Sequence, residues 1–317
     1  MICGPRRRVR GLRPPPEGET MPSAEFVEFQ QKMAANPVPP PPASIQELRE
    51  RIETNMGNLP LAEGTSAEEV DAHGVFSILC TRDGGDDDPW LLYFHGGGFR
   101  ICSARAYRAH GSQLARACKA RVLVVDYRLA PEHPFPAAVD DAVAAYRWVL
   151  DQGVDPSRVV AGGDSAGGGI TASLLLAARE QGLPMLAGGI LLSGWLDLTN
   201  EADSYERNAE TDKLFGKQSA VEAAGLYLQG QDPRQPLASP LFGDWAGMPP
   251  LLVLNGSIET LYDDSVGITE RARAAGVDVT HTVYEGMPHV WQTSYPAFPE
   301  AVQAVDEMAA FVARVTA

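Results

Sequence analysis

The sequence predicts an α/β protein built around one mainly parallel sheet. From about residue 74 onward, short apolar runs alternate with helical stretches, and strands that alternate with helices along a chain form a parallel sheet. Most of the runs are apolar throughout, which is typical of strands covered on both faces. The predicted strands lie at 75–79, 90–94, 121–127, 158–163, 189–194, 250–256 and 277–284. Helical patterns between them include 138–150, 166–181 and 263–275.

Composition narrows the classes of partner. The 317 residues carry a formal net charge of -15, which repels nucleic acid and anionic membranes. The chain has no run of about 20 apolar residues and no apolar signal core at its N-terminus. We therefore expect a cytoplasmic protein without membrane insertion that acts on small molecules. The four cysteines show no Cys-x-x-Cys pairing and are too few for a disulfide framework at this length.

The N-terminal region differs from the rest of the chain. Residues 1–20 are rich in arginine and proline, and we predict that they form a disordered basic tail. Translation from Met21 instead of Met1 would remove this tail, and the sequence leaves both starts open. Two helices are predicted next, separated by the proline segment at 36–42. The second begins with a capping box at Ser44 and ends at Gly57.

A glycine-rich segment surrounds Ser165. Residues 161–169 read AGGDSAGGG and lie between a predicted buried strand and a predicted apolar helix. Gly163 and Gly167 flank the serine in the pattern Gly-x-Ser-x-Gly, because a strand-to-helix turn this tight leaves no room for side chains there. The pattern of a phosphate loop, Gly-x-x-x-x-Gly-Lys-Ser/Thr, is absent from the chain. We therefore predict that Ser165 is a nucleophile presented on this turn.

A second glycine-rich turn follows the predicted strand at 90–94. Its sequence is HGGGF at 95–99, and glycines there leave backbone N–H groups free to converge on the negative oxygen of a tetrahedral intermediate. We predict that Gly96 and Gly97 donate to this oxygen, together with the N–H of Ala166. A plain glycine turn would have the same sequence, but the combination with the serine turn favours an oxyanion hole.

Three motifs together resemble one known family. HGGGF at 95–99, DYRLAPEHPFPAAVDD at 126–141 and GDSAGG at 163–168 occur in the order and at the separations found in the hormone-sensitive lipase-like α/β-hydrolase esterases, the bacterial family IV carboxylesterases. The resemblance runs from about residue 74 to the C-terminus. It implies hydrolysis of short-chain carboxylic esters, with a small-molecule ester as substrate, no cofactor and no metal.

The resemblance also implies a domain organisation. Proteins of this family have the α/β-hydrolase fold, a mostly parallel central sheet flanked by helices, with a small helical cap. Here the cap would consist of residues 21–58 and 198–230, and the catalytic domain of 59–197 and 231–317. Relatives often dimerise through the last strand or its neighbouring helix, so a homodimer is one state that the resemblance allows.

The nucleophile needs a base, and in this fold the chain order is serine, acid, histidine. Of the six histidines, only His281 and His289 lie late enough in the chain. His281 falls inside the predicted strand at 277–284, whereas His289 follows it on the loop at the edge where Ser165 should emerge. We therefore assign His289 as the general base.

The acid that orients the histidine is less sharply determined. Glu259 lies nearest the end of the predicted strand at 250–256, whereas Asp263 and Asp264 resemble first-turn residues of the next helix. We choose Glu259. Many relatives have Asp-Pro-Leu where this chain has Glu-Thr-Leu, and this departure leaves Asp263 as an alternative and Asp197 as a weaker one.

Two further expectations concern substrate and chemistry. Trp195 follows a predicted strand near the serine turn, and we predict that it lines the acyl pocket, with a core position as the alternative. The same motifs occur in amidases and formamidases. A ligand receptor without turnover, as among some plant relatives, is disfavoured because those have lost the catalytic histidine and His289 is present.

Overall fold

A computed structural model describes residues 21–36 and 40–317. The predicted basic tail at 1–20 and part of the proline segment lie outside the described residues. The strands are β1 (Thr65–Asp71), β2 (Phe76–Arg82), β3 (Trp90–Phe94), β4 (Arg121–Val125), β5 (Val159–Asp164), β6 (Gly188–Leu192), β7 (Leu251–Gly256) and β8 (Val279–Tyr284). The α-helices are α1 (Ala24–Ala35), α2 (Ile45–Met56), α3 (Ala104–Cys118), α4 (Ala137–Asp151), α5 (Ala166–Glu180), α6 (Ser204–Arg207), α7 (Lys217–Leu228), α8 (Tyr262–Ala274) and α9 (Pro299–Val315).

The strands form one 8-stranded sheet in the order β1-β2-β4-β3-β5-β6-β7-β8. β2 runs antiparallel to its neighbours β1 and β4, and every pairing from β4 to β8 is parallel. The predicted α/β-hydrolase fold is therefore confirmed. Because parallel strands end at the same edge of a sheet, the segments that follow β3, β5, β6, β7 and β8 are brought together at one end of the molecule.

The continuous apolar runs are buried on both faces, as their sequence predicts. Every residue of β3, β5, β6 and β7 is buried. Side chains alternate along each strand, so Leu92 packs into the core under α4 and α5 while Leu91 and Tyr93 pack into the core under α3 and α9. The sheet is thus a rigid central layer between two layers of helices.

The edge strand β1 was not predicted from the sequence. Its residues, TSAEEVD, contain no apolar run, and none of its side chains is fully buried. The strand forms because its backbone pairs with β2 along its whole length, from Thr65 opposite Arg82 to Asp71 opposite Phe76. Backbone pairing of this kind leaves no hydrophobic pattern in the sequence.

The two N-terminal helices pack on the layer of helices that covers one face of the sheet, α1 against α9 and α2 against α3. α2 has the predicted start, since the Ser44 side chain accepts a hydrogen bond from the Glu47 N–H at 3.1 Å, and it ends at Gly57 as predicted. α1 packs through Phe26 against Phe298, with ring centroids 5.0 Å apart. None of the helices in the described ranges has the length and apolar content that a bilayer-crossing segment needs.

Candidate active site

Ser165 lies on the abrupt turn between β5 and α5. Its backbone has φ 53° and ψ -120°, a conformation that a residue with a side chain rarely adopts and that costs about 1–3 kcal/mol. The Ser165 N–H donates to Leu192 O at 2.9 Å, and its carbonyl oxygen accepts from the Trp195 N–H at 2.9 Å. The turn is therefore held in its strained conformation by the backbone at and beyond the end of β6.

The two flanking glycines sit where backbones meet. A Cβ on Gly163 would lie 2.5 Å from the carbonyl oxygens of both Gly167 and Phe94. A Cβ on Gly167 would overlap Phe94 O and lie 2.7 Å from His95 O. Real Cβ atoms do not approach backbone this closely, so β3, β5 and α5 can converge around Ser165 only without these side chains.

His289 and Glu259 meet Ser165 at the same edge of the sheet. His289 Nε2 lies 2.9 Å from Ser165 Oγ, and His289 Nδ1 lies 3.4 Å from Glu259 Oε2. Glu259 follows β7 and His289 follows β8, so each arrives at the end of a strand. Ser165 and His289 are each 5% exposed and Glu259 is fully buried.

The other acidic candidates bond elsewhere. Asp263 pairs with Arg207 at 2.6 Å and accepts from the Ser204 N–H at 2.8 Å. Asp197 accepts from the Thr199 N–H at 2.8 Å. Asp264 accepts from the Leu196 N–H at 2.8 Å. Of the four carboxylates weighed in the sequence, Glu259 is the one that the structure brings to the histidine.

Negative charge around His289 raises its pKa above the ordinary value of 6.5. Burial of the ring lowers the pKa, but the hydrogen bond and charge of Glu259, with the charges of Asp212 and Asp164, outweigh it. The imidazole also stacks on Phe215, with ring centroids 5.5 Å apart. These contacts stabilise an imidazolium and fix the plane of the ring.

The loop after β3 borders the same cavity as Ser165. Gly97 and Gly98 line the cavity that contains Ser165 and His289, with φ 118° and 59°. Gly96 is not among the lining residues; it is buried against Asp164, whose carboxylate occupies the space where a Cβ would stand. Ala166 is the first residue of α5, so its N–H has no acceptor within the helix.

The cavity has a volume of about 320 Å³. One side is the loop after β3 together with the turn at Ser165. The other side comes from the segments that the family resemblance assigns to a cap. They contribute Met56 of α2 and Leu214, Phe215 and Ser219 in and before α7. The opening is therefore bounded by both predicted cap segments.

Comparison with known proteins agrees with this architecture. A family model described as an alpha/beta hydrolase fold matches residues 91–293. An acetyl-hydrolase of Streptomyces hygroscopicus is 40% identical over 267 residues, which cover 84% of this chain and 88% of the relative. The chain belongs to the hormone-sensitive lipase-like family of α/β-hydrolase esterases. The family predicted from the three motifs is confirmed.

Two further comparisons show how far the likeness extends. An esterase of Acinetobacter venetianus is 38% identical over 222 residues, which cover 70% of this chain and 73% of the relative. The crystal structure of an esterase from the bacterial hormone-sensitive lipase family has a TM-score of 0.86 at 44% identity, covering 93% of this chain and 99% of that chain.

Trp195 does not occupy the position that we predicted for it. Its side chain is fully buried and is not part of the cavity wall. The indole N–H donates to Asn200 Oδ1 at 3.2 Å, and the ring packs on Phe99 and Phe215. Phe215, and not Trp195, lines the cavity. Trp195 supports the site from behind, which is the core position that we gave as the alternative.

Asp164 is a site residue to which sequence reasoning gave no role. Its carboxylate accepts from the hydroxyls of Tyr93 at 2.9 Å and Tyr107 at 3.0 Å, and burial raises its pKa to about 6 although those hydrogen bonds oppose the shift. It also lines the cavity. The available sign was Tyr93 in the apolar strand WLLYF, because a buried tyrosine hydroxyl needs a partner.

The crowded turn generates a prediction on stability. Gly167→Ala should lower the free energy of unfolding by about 1–3 kcal/mol or more, because overpacking against backbone cannot be relieved by side-chain motion. The change is measured by urea unfolding followed by tryptophan fluorescence.

Gly225→Ala is the matched control for this substitution. Gly225 lies inside α7, and a Cβ there has no heavy atom within 4 Å, so alanine should stabilise the helix by about 0.5–1 kcal/mol. Equal effects of the two substitutions would contradict the steric explanation of the Gly-x-Ser-x-Gly pattern.

Proposed function

We propose that the protein hydrolyses short-chain carboxylic esters through a covalent acyl-enzyme on Ser165. The observation that carries the proposal is the alignment of three buried side chains, with Ser165 Oγ 2.9 Å from His289 Nε2 and Glu259 Oε2 3.4 Å from His289 Nδ1. A serine hydroxyl is a weak nucleophile until a positioned base removes its proton, and this arrangement supplies one.

In the proposed first step, Ser165 Oγ attacks the ester carbonyl carbon while its proton moves to His289 Nε2. The imidazolium then gives that proton to the leaving alcohol as the bond between carbonyl carbon and alcohol oxygen breaks. Water attacks the acyl-serine with His289 again as base, which releases the acid and restores Ser165. Glu259 accepts the hydrogen bond from Nδ1 and stabilises the imidazolium throughout.

The oxyanion formed in each tetrahedral intermediate would accept from the backbone. We propose the N–H groups of Gly97 and Ala166 as donors, as predicted, with Gly98 as the third. Gly96 is buried against Asp164, so we propose that it supports the loop and does not itself donate to the oxyanion. Ala166 also begins α5, whose N-terminal dipole favours negative charge at this point.

The size of the enclosed cavity favours a small substrate. Ligand pockets typically have volumes of about 300–1,000 Å³, and the 320 Å³ here lies at the small end. We propose that residues 21–58 and 198–230 act as the cap and that Met56, Leu214 and Phe215 form its apolar contact with the acyl or alcohol group. The relative named an acetyl-hydrolase agrees with a short acyl chain.

The serine assignment is tested with p-nitrophenyl acetate and butyrate. Ser165→Ala should lower kcat by about four to six orders of magnitude, because the hydroxyl forms the acyl intermediate. Ser157→Ala, at an exposed position, is the control and should retain wild-type kcat. Retained turnover in Ser165→Ala would exclude Ser165 as the nucleophile.

The acid assignment is tested by the pH dependence of kcat/KM between pH 5 and 9. His289 must be neutral to act as a base, and its pKa is raised above 6.5, so activity should fall as pH decreases through a value above 6.5. In Glu259→Gln the partner's charge is lost while burial remains, so the acidic limb should move to lower pH and kcat should fall by about three to four orders of magnitude.

Asp263→Asn provides the control for the acid, because Asp263 bonds Arg207 and the Ser204 N–H instead of His289. It should leave the acidic limb in place. A limb that moves in Asp263→Asn and stays fixed in Glu259→Gln would assign the acid to Asp263.

Substrate range is tested with p-nitrophenyl esters from acetate to decanoate and with a matched butyryl anilide. We expect kcat/KM to be highest at two to four acyl carbons and to fall for longer chains that exceed the cavity. Faster turnover of the anilide than of the ester would make the protein an amidase on the same scaffold.

A further inference from the structure

Helix α2 is hydrogen-bonded through Arg49 to the loop that carries the proposed oxyanion donors. Arg49 Nε donates to Arg100 O at 2.8 Å, and Arg49 Nη2 donates to Ala130 O at 2.8 Å. Glu132 holds the guanidinium from its other side, accepting at 2.8 and 2.9 Å. A planar guanidinium presents its donors in a fixed fork, so these contacts fix the two carbonyls relative to each other.

Both carbonyls are connected to one turn of the loop, Gly97–Ile101. The N–H groups of Arg100 and Ile101 each donate to Gly97 O at 3.1 Å, so Arg100 O lies at the end of the turn that begins at Gly97. The Ala130 N–H donates to Phe99 O at 2.8 Å. Arg49 therefore reaches this turn twice, directly through Arg100 and indirectly through Ala130.

The turn needs external support because of its backbone conformation. Phe99 has φ 60° and Cys102 has φ 70°, and each such residue costs about 1–3 kcal/mol that surrounding contacts must offset. Without those contacts the turn would relax toward ordinary φ values. Gly97 lies at its start, so relaxation would displace the Gly97 N–H that we propose as an oxyanion donor.

We propose that Arg49 is a positioning residue for transition-state stabilisation, holding the Gly97–Ile101 turn so that the N–H groups of Gly97 and Gly98 point at the oxyanion. This inference rests on the proposed esterase function. Arg49 is not among the residues that line the cavity, so it acts through the loop and not through the substrate. Its removal should affect the transition state more than the bound ester.

The test compares Arg49→Ala with Arg51→Ala, using p-nitrophenyl butyrate. Arg51 lies on the same helix, and its partners among residues 21–36 and 40–317 are Glu47 and Pro40 O, both within the N-terminal segment. We expect Arg49→Ala to lower kcat by about 10- to 100-fold, with KM changed less than about threefold. The loss should be smaller than the roughly 100- to 1,000-fold caused by removing an oxyanion donor, because the donor is displaced and not removed. Arg51→Ala should retain wild-type kcat and KM.

An inhibitor separates loop positioning from general destabilisation. An alkyl trifluoromethyl ketone forms a tetrahedral adduct with the serine, and its oxyanion uses the same donors. Its inhibition constant should rise in Arg49→Ala by the same factor by which kcat/KM falls, at a temperature where circular dichroism shows both variants folded. Equal inhibition constants in Arg49→Ala and Arg51→Ala would overturn the proposal.

Two further measurements keep the outcomes distinct. If Arg49→Ala does not fold, Arg49→Lys decides, because an ammonium cannot span both carbonyls; wild-type kcat and inhibitor affinity in that variant would overturn the inference. If wild-type protein does not hydrolyse the ester, or Ser165→Ala hydrolyses it equally well, the esterase proposal itself fails. Activity in the wild type with no loss in the Arg49 variants refutes only the role of Arg49.

Discussion

The close approach of β3, β5 and α5 around Ser165 is the constraint on which the rest of the site depends. Three backbones meet where Gly163 and Gly167 lack side chains, and the overlap that a Cβ on Gly167 would make with Phe94 O shows how little space remains. That convergence sets both the strained φ of Ser165 and the position of the loop after β3. The nucleophile and the proposed oxyanion donors are therefore placed by one piece of packing, and neither can shift without the other.

The site also buries several carboxylates next to the proposed general base. Three carboxylates surround His289, and each would be costly to bury without partners. Asp164 is bonded by two tyrosine hydroxyls, and Asp212 accepts the Thr260 N–H at 2.8 Å and the Leu214 and Phe215 N–H groups at 3.1 Å. These neutral donors offset the cost of burying Asp164 and Asp212 without cancelling their negative charge. The field of these groups remains available to stabilise the proton that His289 receives in the proposed mechanism.

The sequence was sufficient for features that depend on local pattern. Continuous apolar runs predicted the parallel strands, and the setting of Ser165 between strand and helix predicted the turn. His289 was singled out by its place after the last strand. Features that depend on tertiary partners were not predictable in this way. β1 has no apolar run and forms through backbone pairing with β2. Phe215, and not Trp195, lines the cavity because the segment before α7 borders the space at Ser165.

The loop after β3 shows the same limit in more detail. Three consecutive glycines offer three N–H groups, and their identical side chains give no means of ranking them. What distinguishes Gly96 is the carboxylate of Asp164 beside it, and what distinguishes Gly97 and Gly98 is the open cavity. Asp164 and the cavity wall come from elsewhere in the chain, so the sequence narrows the proposed donors to these glycines but does not rank them.

The N-terminal helix joins substrate enclosure to the support of this loop. Met56 at the end of α2 forms part of the cavity wall, and Arg49 two turns earlier bonds the turn that begins at Gly97. Arg49 makes this contact at Arg100 O. The second proposed cap segment also reaches Arg100, since the Arg100 guanidinium bonds Glu222 and Ser219 of α7 at 2.9 and 3.1 Å. Arg100 is thus held by α2 at its carbonyl and by α7 at its side chain. If these contacts act as we propose, the segments that enclose the substrate also hold the proposed oxyanion donors in place, so substrate enclosure and transition-state stabilisation depend on the same contacts.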